Sequence, residues 1–159
     1  DGVISQNQEQ TRQIWGIREG LREAQTMEGV AFTHDVSVKV SRIPTLIRRA
    51  ASEGSALFPG VRIYPFGHVG DGNIHLSFLQ PEDANVDDFR SKKAEFSSMV
   101  FELIDELNGS FSAEHGIGIL RLKEMTRYKN ATEIEMMTRI KDALDPHGIL
   151  NPGKVVPRQ

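Results

Sequence analysis

The sequence predicts an α+β domain, a mostly antiparallel sheet with helices packed on it, and three observations carry that prediction. Short β-rich stretches are separated by stretches of helical periodicity along the whole chain, which implies mixed layers rather than a purely helical or purely stranded core. Two of the β-rich stretches are joined across Gly67–Asn73 closely enough to form a hairpin, and a hairpin pairs antiparallel. From Thr33 onward the first β-rich stretch alternates, as suits a strand with one buried face. The 159 residues are expected to form one domain over 1–159.

Taken in order, the first element is an amphipathic helix from about Gln6 to Gln25. Ile14, Trp15, Ile17 and Leu21 recur there at helical spacing among Gln, Arg and Glu, and the helix ends before Gly29. Val30–Val38 is rich in β-formers and gives the first strand. Ser41 with Pro44 opens a second helix, expected to run to Glu53 and to stop at Gly54. Arg62–Phe66 and Ile74–Leu79 are the hairpin arms, and Pro65 places the first arm at a sheet edge or a bulge. A longer helix over about 87–107 presents Phe89, Phe96, Val100, Leu103 and Leu107 on one face and is closed by Asn108-Gly109. Ser110–Glu114 reads as a short strand running into Gly116-Ile117-Gly118. Leu120–Tyr128 and Thr132–Leu144 are helical, and Asp145-Pro146-His147-Gly148 ends the last helix. This order of elements is similar to a ferredoxin-like fold.

Composition excludes several classes of partner. A net charge of −3 and a pI near 6.0, with Lys and Arg scattered, lack the basic footprint of a nucleic-acid binder. No apolar run approaches the roughly 20 residues of a membrane span, and the N-terminus shows no signal-peptide pattern. There is no cysteine, so disulfides and thiolate metal ligands are excluded and a reducing, cytoplasmic location is expected. The chain starts at Asp1 without an initiator Met, which reads as a piece cut from a longer protein.

The most informative run is Gly67-His68-Val69-Gly70-Asp71-Gly72-Asn73-Ile74-His75. Asp-Gly is a preferred pair for a two-residue type I′ turn. With Asp71 and Gly72 at the tip, His68 would face His75, and β-carbons of opposed residues lie about 5 Å apart. Two imidazoles at that separation can converge on one metal ion. Asp71 itself reads as a turn residue, and Asn73 either orients a ligand or tolerates the turn backbone. Glu114 is the best third ligand, because a carboxylate at a strand end beside His115-Gly116-Ile117-Gly118 can be aimed into a cleft. Two imidazoles and a carboxylate leave coordination positions open, the pattern of a catalytic metal site. In a regular strand Glu114 and His115 would point to opposite faces, so both serve one site only if the strand breaks there, as the glycines allow. His34 and His147 read as packed or surface residues. Arg18 and Arg22, four apart on the first helix, share a face and could reach one anion or form a solvated face. The Gly-rich runs match neither a P-loop nor a dinucleotide fingerprint.

His68–His75, Glu114-His115-Gly116-Ile117-Gly118 and Leu144-Asp145-Pro146-His147-Gly148-Ile149-Leu150-Asn151-Pro152-Gly153-Lys154 together resemble the C-terminal domain of FAD-linked oxidases. This family includes D-lactate, D-2-hydroxyglutarate and glycolate dehydrogenases of the vanillyl-alcohol-oxidase superfamily. The resemblance implies oxidation of a D-2-hydroxy acid to the 2-oxo acid, with hydride passing to FAD bound mainly by an N-terminal domain absent from this chain. It implies His68, His75 and Glu114 as ligands of a divalent metal, Zn or Mn, and His115 as active-site base. Arg18 matches an arginine that holds the substrate carboxylate, and Asn151 falls in a terminal segment that passes near the flavin. The implied partners are the 2-hydroxy acid, the protein's own N-terminal FAD domain and an electron acceptor, with a homodimer allowed. Thr33, Arg22 and Ser77 stand where the 2-hydroxyglutarate branch commonly has lysine, threonine and asparagine, and Lys39 stands where a proline is usual. Read from the residues alone, a flavin-independent metal-binding module or metallohydrolase remains an alternative, as does a structural or dimerising domain.

Overall fold

The computed structural model describes residues 2–157; Asp1, Arg158 and Gln159 of the expected 1–159 domain lie outside the described residues. Three antiparallel strands, β1 (Ala31–Ser37), β2 (Arg62–Phe66) and β3 (Asn73–Leu79), form a sheet in the order β1-β3-β2. Helix α2 (Ile43–Leu57) connects β1 to β2, and α3 (Val86–Ser91) and α4 (Lys93–Glu106) follow β3. The chain then returns beside β1 as a single antiparallel bridge, Ser37 to Ser110. That is the ferredoxin-like order with its fourth strand reduced to one rung. Helix α1 (Gln8–Met27) precedes the sheet, while α5 (Leu122–Tyr128) and α6 (Ala131–Leu144) follow it.

The two sheet faces differ because each strand alternates. Phe32, His34 and Val36 of β1 and Ile74, Leu76 and Phe78 of β3 turn to the core. There they meet Ile43, Leu46, Ala50 and Gly54 of α2, spaced three and four apart on one helical stripe, and Phe96, Val100 and Leu103 of α4. Phe32 stacks on Phe89 with centroids 4.6 Å apart. The other face carries Thr33, Asp35 and Ser37 against Ser77, His75 and Asn73, with Phe66 and Tyr64 of β2 beside them and the apolar pair Ala31–Leu79 at its end. Its middle is therefore polar, and it is there that the chemistry-bearing residues collect.

Four expectations about local structure are corrected. Gly54 does not stop α2; the helix continues to Leu57, and the N–H of Phe58 closes it on the Gly54 carbonyl at 3.0 Å. The glycine serves packing instead, since a β-carbon there would lie 2.7 Å from Cε1 of Phe78. The helix expected over 87–107 is two helices, interrupted at Lys92, whose N–H bonds the Phe89 carbonyl only three residues back. Ser110–Glu114 is not a strand beyond its first residue. The hairpin exists, but its loop has six residues, 67–72, rather than two.

The loop departs from a type I′ turn because Asp71 does not adopt positive φ; Gly72 does, at 78°. Val69–Asp71 instead forms a 3₁₀ turn, with Asp71 N–H bonded to the His68 carbonyl at 3.0 Å. The Gly72 carbonyl is pinned by the N–H of Val38 at 3.0 Å, and any β-carbon at Gly72 would sit 2.1 Å from the Val38 oxygen. A tertiary contact thus sets the turn, overriding the local Asp-Gly preference. Phe66, not His68, pairs with His75. Pro65 lies in an edge strand, as expected.

Helix α1 runs two residues later at each end than expected, with Asn7 capping it through the Gln10 N–H at 2.9 Å. Its apolar stripe is uncovered: Trp15 is 59% and Ile17 73% exposed. Among the described residues no helix is long and apolar enough to cross a membrane.

Candidate metal and active site

Although His68 and His75 are not opposed in the ladder, both reach one carboxylate. His68 Nδ1 lies 2.6 Å from Glu114 Oε1, and His75 Nε2 lies 3.4 Å from Glu114 Oε2. The two imidazoles differ in setting. His68 projects from the exposed loop, whereas His75 is nearly buried in mid-strand with the Phe66 ring 5.1 Å from its own. The structure therefore brings together His68, His75 and Glu114 by a geometry different from the facing pair that spacing predicts.

The strand break needed to turn Glu114 and His115 to one side is made by a residue the sequence reading passes over. Asp35, directly across from His75 in the β1–β3 register, accepts the backbone N–H of Glu114 at 2.7 Å and of His115 at 2.8 Å on Oδ2. These two N–H groups would otherwise alternate along a ladder; both point instead at one side-chain oxygen. Oδ1 accepts the amide of Asn73 at 2.8 Å. Nδ1 of His75 and Nδ1 of His115 each lie 3.7 Å from the same carboxylate. Burial pushes the Asp35 carboxyl up, but the two backbone N–H groups and the Asn73 amide together outweigh it and hold it below the usual carboxylate range. The signal that could have found Asp35 is a strand-disfavoured residue on the polar side of an alternating β stretch.

His115 stands next to this cluster with its side chain 64% exposed, its ring 5.5 Å from that of His75. Arg18 approaches from α1, its guanidinium carbon 5.6 Å from the centroid of Phe66, which in turn covers His75. Arg22 is exposed and does not share that contact. Asn151 has a φ of 47° in the terminal turn, and its Oδ1 accepts Lys154 Nζ at 3.2 Å. The Val155 N–H bonds the Gly118 carbonyl at 2.8 Å, which fastens this tail to the segment just past His115. Thr33 and Ser77, hydrogen bonded at 2.9 Å, form the next pair along the polar face. Asp71 is exposed in the loop, and Asn73 is a buried partner of Asp35. His147 is exposed, and His34 is packed in the core.

The donor set fits a divalent cation of the Zn or Mn type, which takes imidazole nitrogen and carboxylate oxygen. Asp35, His75, Glu114 and His115 each offer one ligand atom within 4.8 Å of the others. His68 adds an imidazole on the outer side of Glu114.

Fold and cluster define an α+β domain that gathers imidazoles and carboxylates able to hold a metal ion beside one face of its sheet. The chain belongs to the family described as FAD linked oxidases, C-terminal domain, whose model matches residues 1–155. It is 37% identical over 155 residues to the D-2-hydroxyglutarate dehydrogenase of Stutzerimonas stutzeri (strain A1501), covering 98% of this chain and 33% of that protein. It is 35% identical over 158 residues to the mitochondrial D-2-hydroxyglutarate dehydrogenase of Arabidopsis thaliana, covering 99% of this chain and 27% of that one. For the Danio rerio protein of the same name the figures are 34% over 157 residues, 99% and 28%. The chain thus spans about a third of the length, or less, of these curated relatives.

Proposed function

We propose that this chain is the substrate-handling part of an FAD-dependent dehydrogenase that oxidises a D-2-hydroxy acid to the 2-oxo acid. The observation that carries the reading is the meeting of His68 and His75 on the two oxygens of Glu114, with His115 exposed beside them. His68, His75 and Glu114 would hold a divalent cation, Zn or Mn. Such a cation, when bound, supplies Lewis acidity toward a hydroxyl oxygen, and FAD, held mainly outside this chain, supplies the hydride acceptor.

The remaining roles belong to side chains of this domain. His115 takes the substrate's hydroxyl proton on Nε2, since its Nδ1 side faces Asp35. Arg18 holds the substrate carboxylate by charge-assisted hydrogen bonds, with Phe66 beneath its guanidinium. Asn151, on the tail fastened to Gly118, would be the residue of this chain that meets the flavin. The Thr33–Ser77 pair offers neutral hydroxyls on the same face, so the far end of the substrate meets hydroxyl groups rather than a lysine.

The test is flavin bleaching in the full-length, FAD-loaded protein under anaerobic conditions. D-2-hydroxyglutarate, D-lactate and glycolate are offered in turn, before and after chelation and metal re-addition. At least one acid is expected to reduce the flavin in a chelator-sensitive way. Failure of every 2-hydroxy acid would overturn the activity, and indifference to chelation would overturn the metal's part in it. His115→Ala is expected to slow flavin reduction by about 10²–10⁴-fold, the usual range for a general base, while FAD stays bound.

A further inference from the structure

We propose that Asp35 is the positioning residue of this site: one buried carboxylate that sets the Glu114–His115 turn and orients the imidazoles of His75 and His115. The inference rests on the metal and base roles just proposed, but its geometry stands independently.

Asp35 is 6% exposed in the middle of β1, where a carboxylate is disfavoured both by strand preference and by desolvation. Its retention there is explained by its partners. Oδ2 spends both acceptor directions on the N–H groups of Glu114 and His115, and Oδ1 takes the Asn73 amide. Oδ2 is fully taken, and the one acceptor direction left on Oδ1 has His75 Nδ1 at 3.7 Å, so Asp35 is assigned the orienting part rather than that of a ligand, although it lies within the ligand cluster. Its charge acts through the rings instead. Nδ1 of His75 and Nδ1 of His115 both lie 3.7 Å from it, which favours the proton on Nδ1 of each ring. The Nε2 lone pair is then left toward Glu114 in His75 and toward substrate in His115.

Two variants of the full-length protein separate the two functions. In Asp35→Asn the amide oxygen can still accept both backbone N–H groups. Its new NH₂ can donate to the Asn73 oxygen, which is buried without a partner, once the Asn73 amide turns over. This variant keeps the hydrogen-bond frame and loses the charge. Asp35→Ala loses both.

Zn²⁺ and Mn²⁺ affinity is read by competition with a chromophoric chelator, together with the melting temperature of the metal-free protein and hydrogen exchange at residues 114 and 115. Asp35→Asn is expected to retain the melting temperature and the exchange protection while metal affinity falls about 10–100-fold, the usual cost of losing a carboxylate behind a ligating histidine. Asp35→Ala is expected to lose protection at 114 and 115 as well. Affinity within threefold of the unsubstituted protein in Asp35→Asn overturns the orienting role. So does a fall in affinity that comes only with loss of melting temperature and protection, because that marks a merely structural residue. Unchanged exchange in Asp35→Ala overturns the positioning of the turn; if that variant does not fold, Asp35→Ser, whose shorter side chain cannot reach both N–H groups, takes its place in the exchange measurement, and unchanged protection there overturns the positioning equally. Should the unsubstituted protein bind neither ion, the metal reading fails by itself, and the exchange data still decide whether Asp35 sets the turn.

Discussion

Phe66 stands directly opposite His75 in the β2–β3 ladder, and its ring is in contact both with that imidazole, 5.1 Å away, and with the Arg18 guanidinium, 5.6 Å away. One aromatic side chain thus links the helix that carries the proposed carboxylate-binding arginine to the strand that carries a proposed metal ligand. A guanidinium over an aromatic face at an exposed site is worth about 0.5–1 kcal/mol. Phe66→Leu keeps apolar bulk and removes the π face. KM for the 2-hydroxy acid is expected to rise about 2- to 5-fold in the full-length enzyme, as that energy implies, with kcat little changed. Steady-state kinetics check this, and a fall confined to kcat would show that Phe66 acts on His75 instead.

The unequal settings of the two histidines give a second prediction. His75 is fixed in mid-strand between Phe66 and Asp35, whereas His68 must be ordered on an exposed loop when it binds. Ordering a residue costs about 1–2 kcal/mol, so the pre-fixed ligand contributes more to affinity. His75→Ala is expected to weaken Zn²⁺ binding roughly tenfold more than His68→Ala, in line with that cost. Chelator competition on both variants checks the ranking, and equal losses would contradict it.

These settings also show where sequence reading succeeds and where it stops. The ligand types are legible, because His68, His75, Glu114 and His115 announce themselves by chemistry and by glycine-rich surroundings. Their geometry is not, because the turn that places His68 is set by a Val38–Gly72 contact across more than thirty residues of chain. Asp35 escapes notice for the same reason: its partners Asn73, Glu114 and His115 become neighbours only through the β1–β3 register and the return of the chain past Ser110. The strands β1, β2 and β3 and the last helix α6 fall within a residue of where the sequence places them. The break past Ser110 depends on the Asp35 carboxylate, a contact about eighty residues away that no local pattern records.

Glycines at three helical positions make a contrast that tests packing against propensity. At Gly54 a β-carbon would come within 2.7 Å of Phe78 Cε1, while at Gly16 and Gly20 of α1 it would meet nothing within 4 Å. Alanine gains about 1 kcal/mol over glycine in a helix interior, but overpacking a core costs about 1–3 kcal/mol. Gly16→Ala and Gly20→Ala are therefore expected to stabilise α1. Gly54→Ala is expected to be neutral to destabilising by about 2 kcal/mol, the difference of those two effects. Urea unfolding measures both, and a Gly54→Ala protein as stabilised as the α1 variants would show that Phe78 relaxes without penalty.

His34 predicts how stability responds to acid. It is buried against the rings of Phe78 and Phe101; its Nε2 pairs with Ser97 Oγ at 3.0 Å, and its Nδ1 has no hydrogen-bond partner. Burial first, and then the positive charges of Arg121 and Lys93, lower its pKa from 6.5 to about 4, against a smaller opposing pull from the Leu76 backbone. Between those two pH values the unfolded chain binds a proton that the folded chain refuses, so stability rises with pH across that window. The His34 contribution is fully present above about pH 6.5 and is lost progressively as pH falls toward 4. At roughly 1.4 kcal/mol per pH unit its full loss amounts to about 3 kcal/mol. His34→Gln keeps a partner for Ser97 and cannot titrate. Urea unfolding of both proteins at pH 7 and pH 4.5 is expected to show a smaller loss of stability in the variant, and equal losses would mean that the buried ring accepts its proton in place.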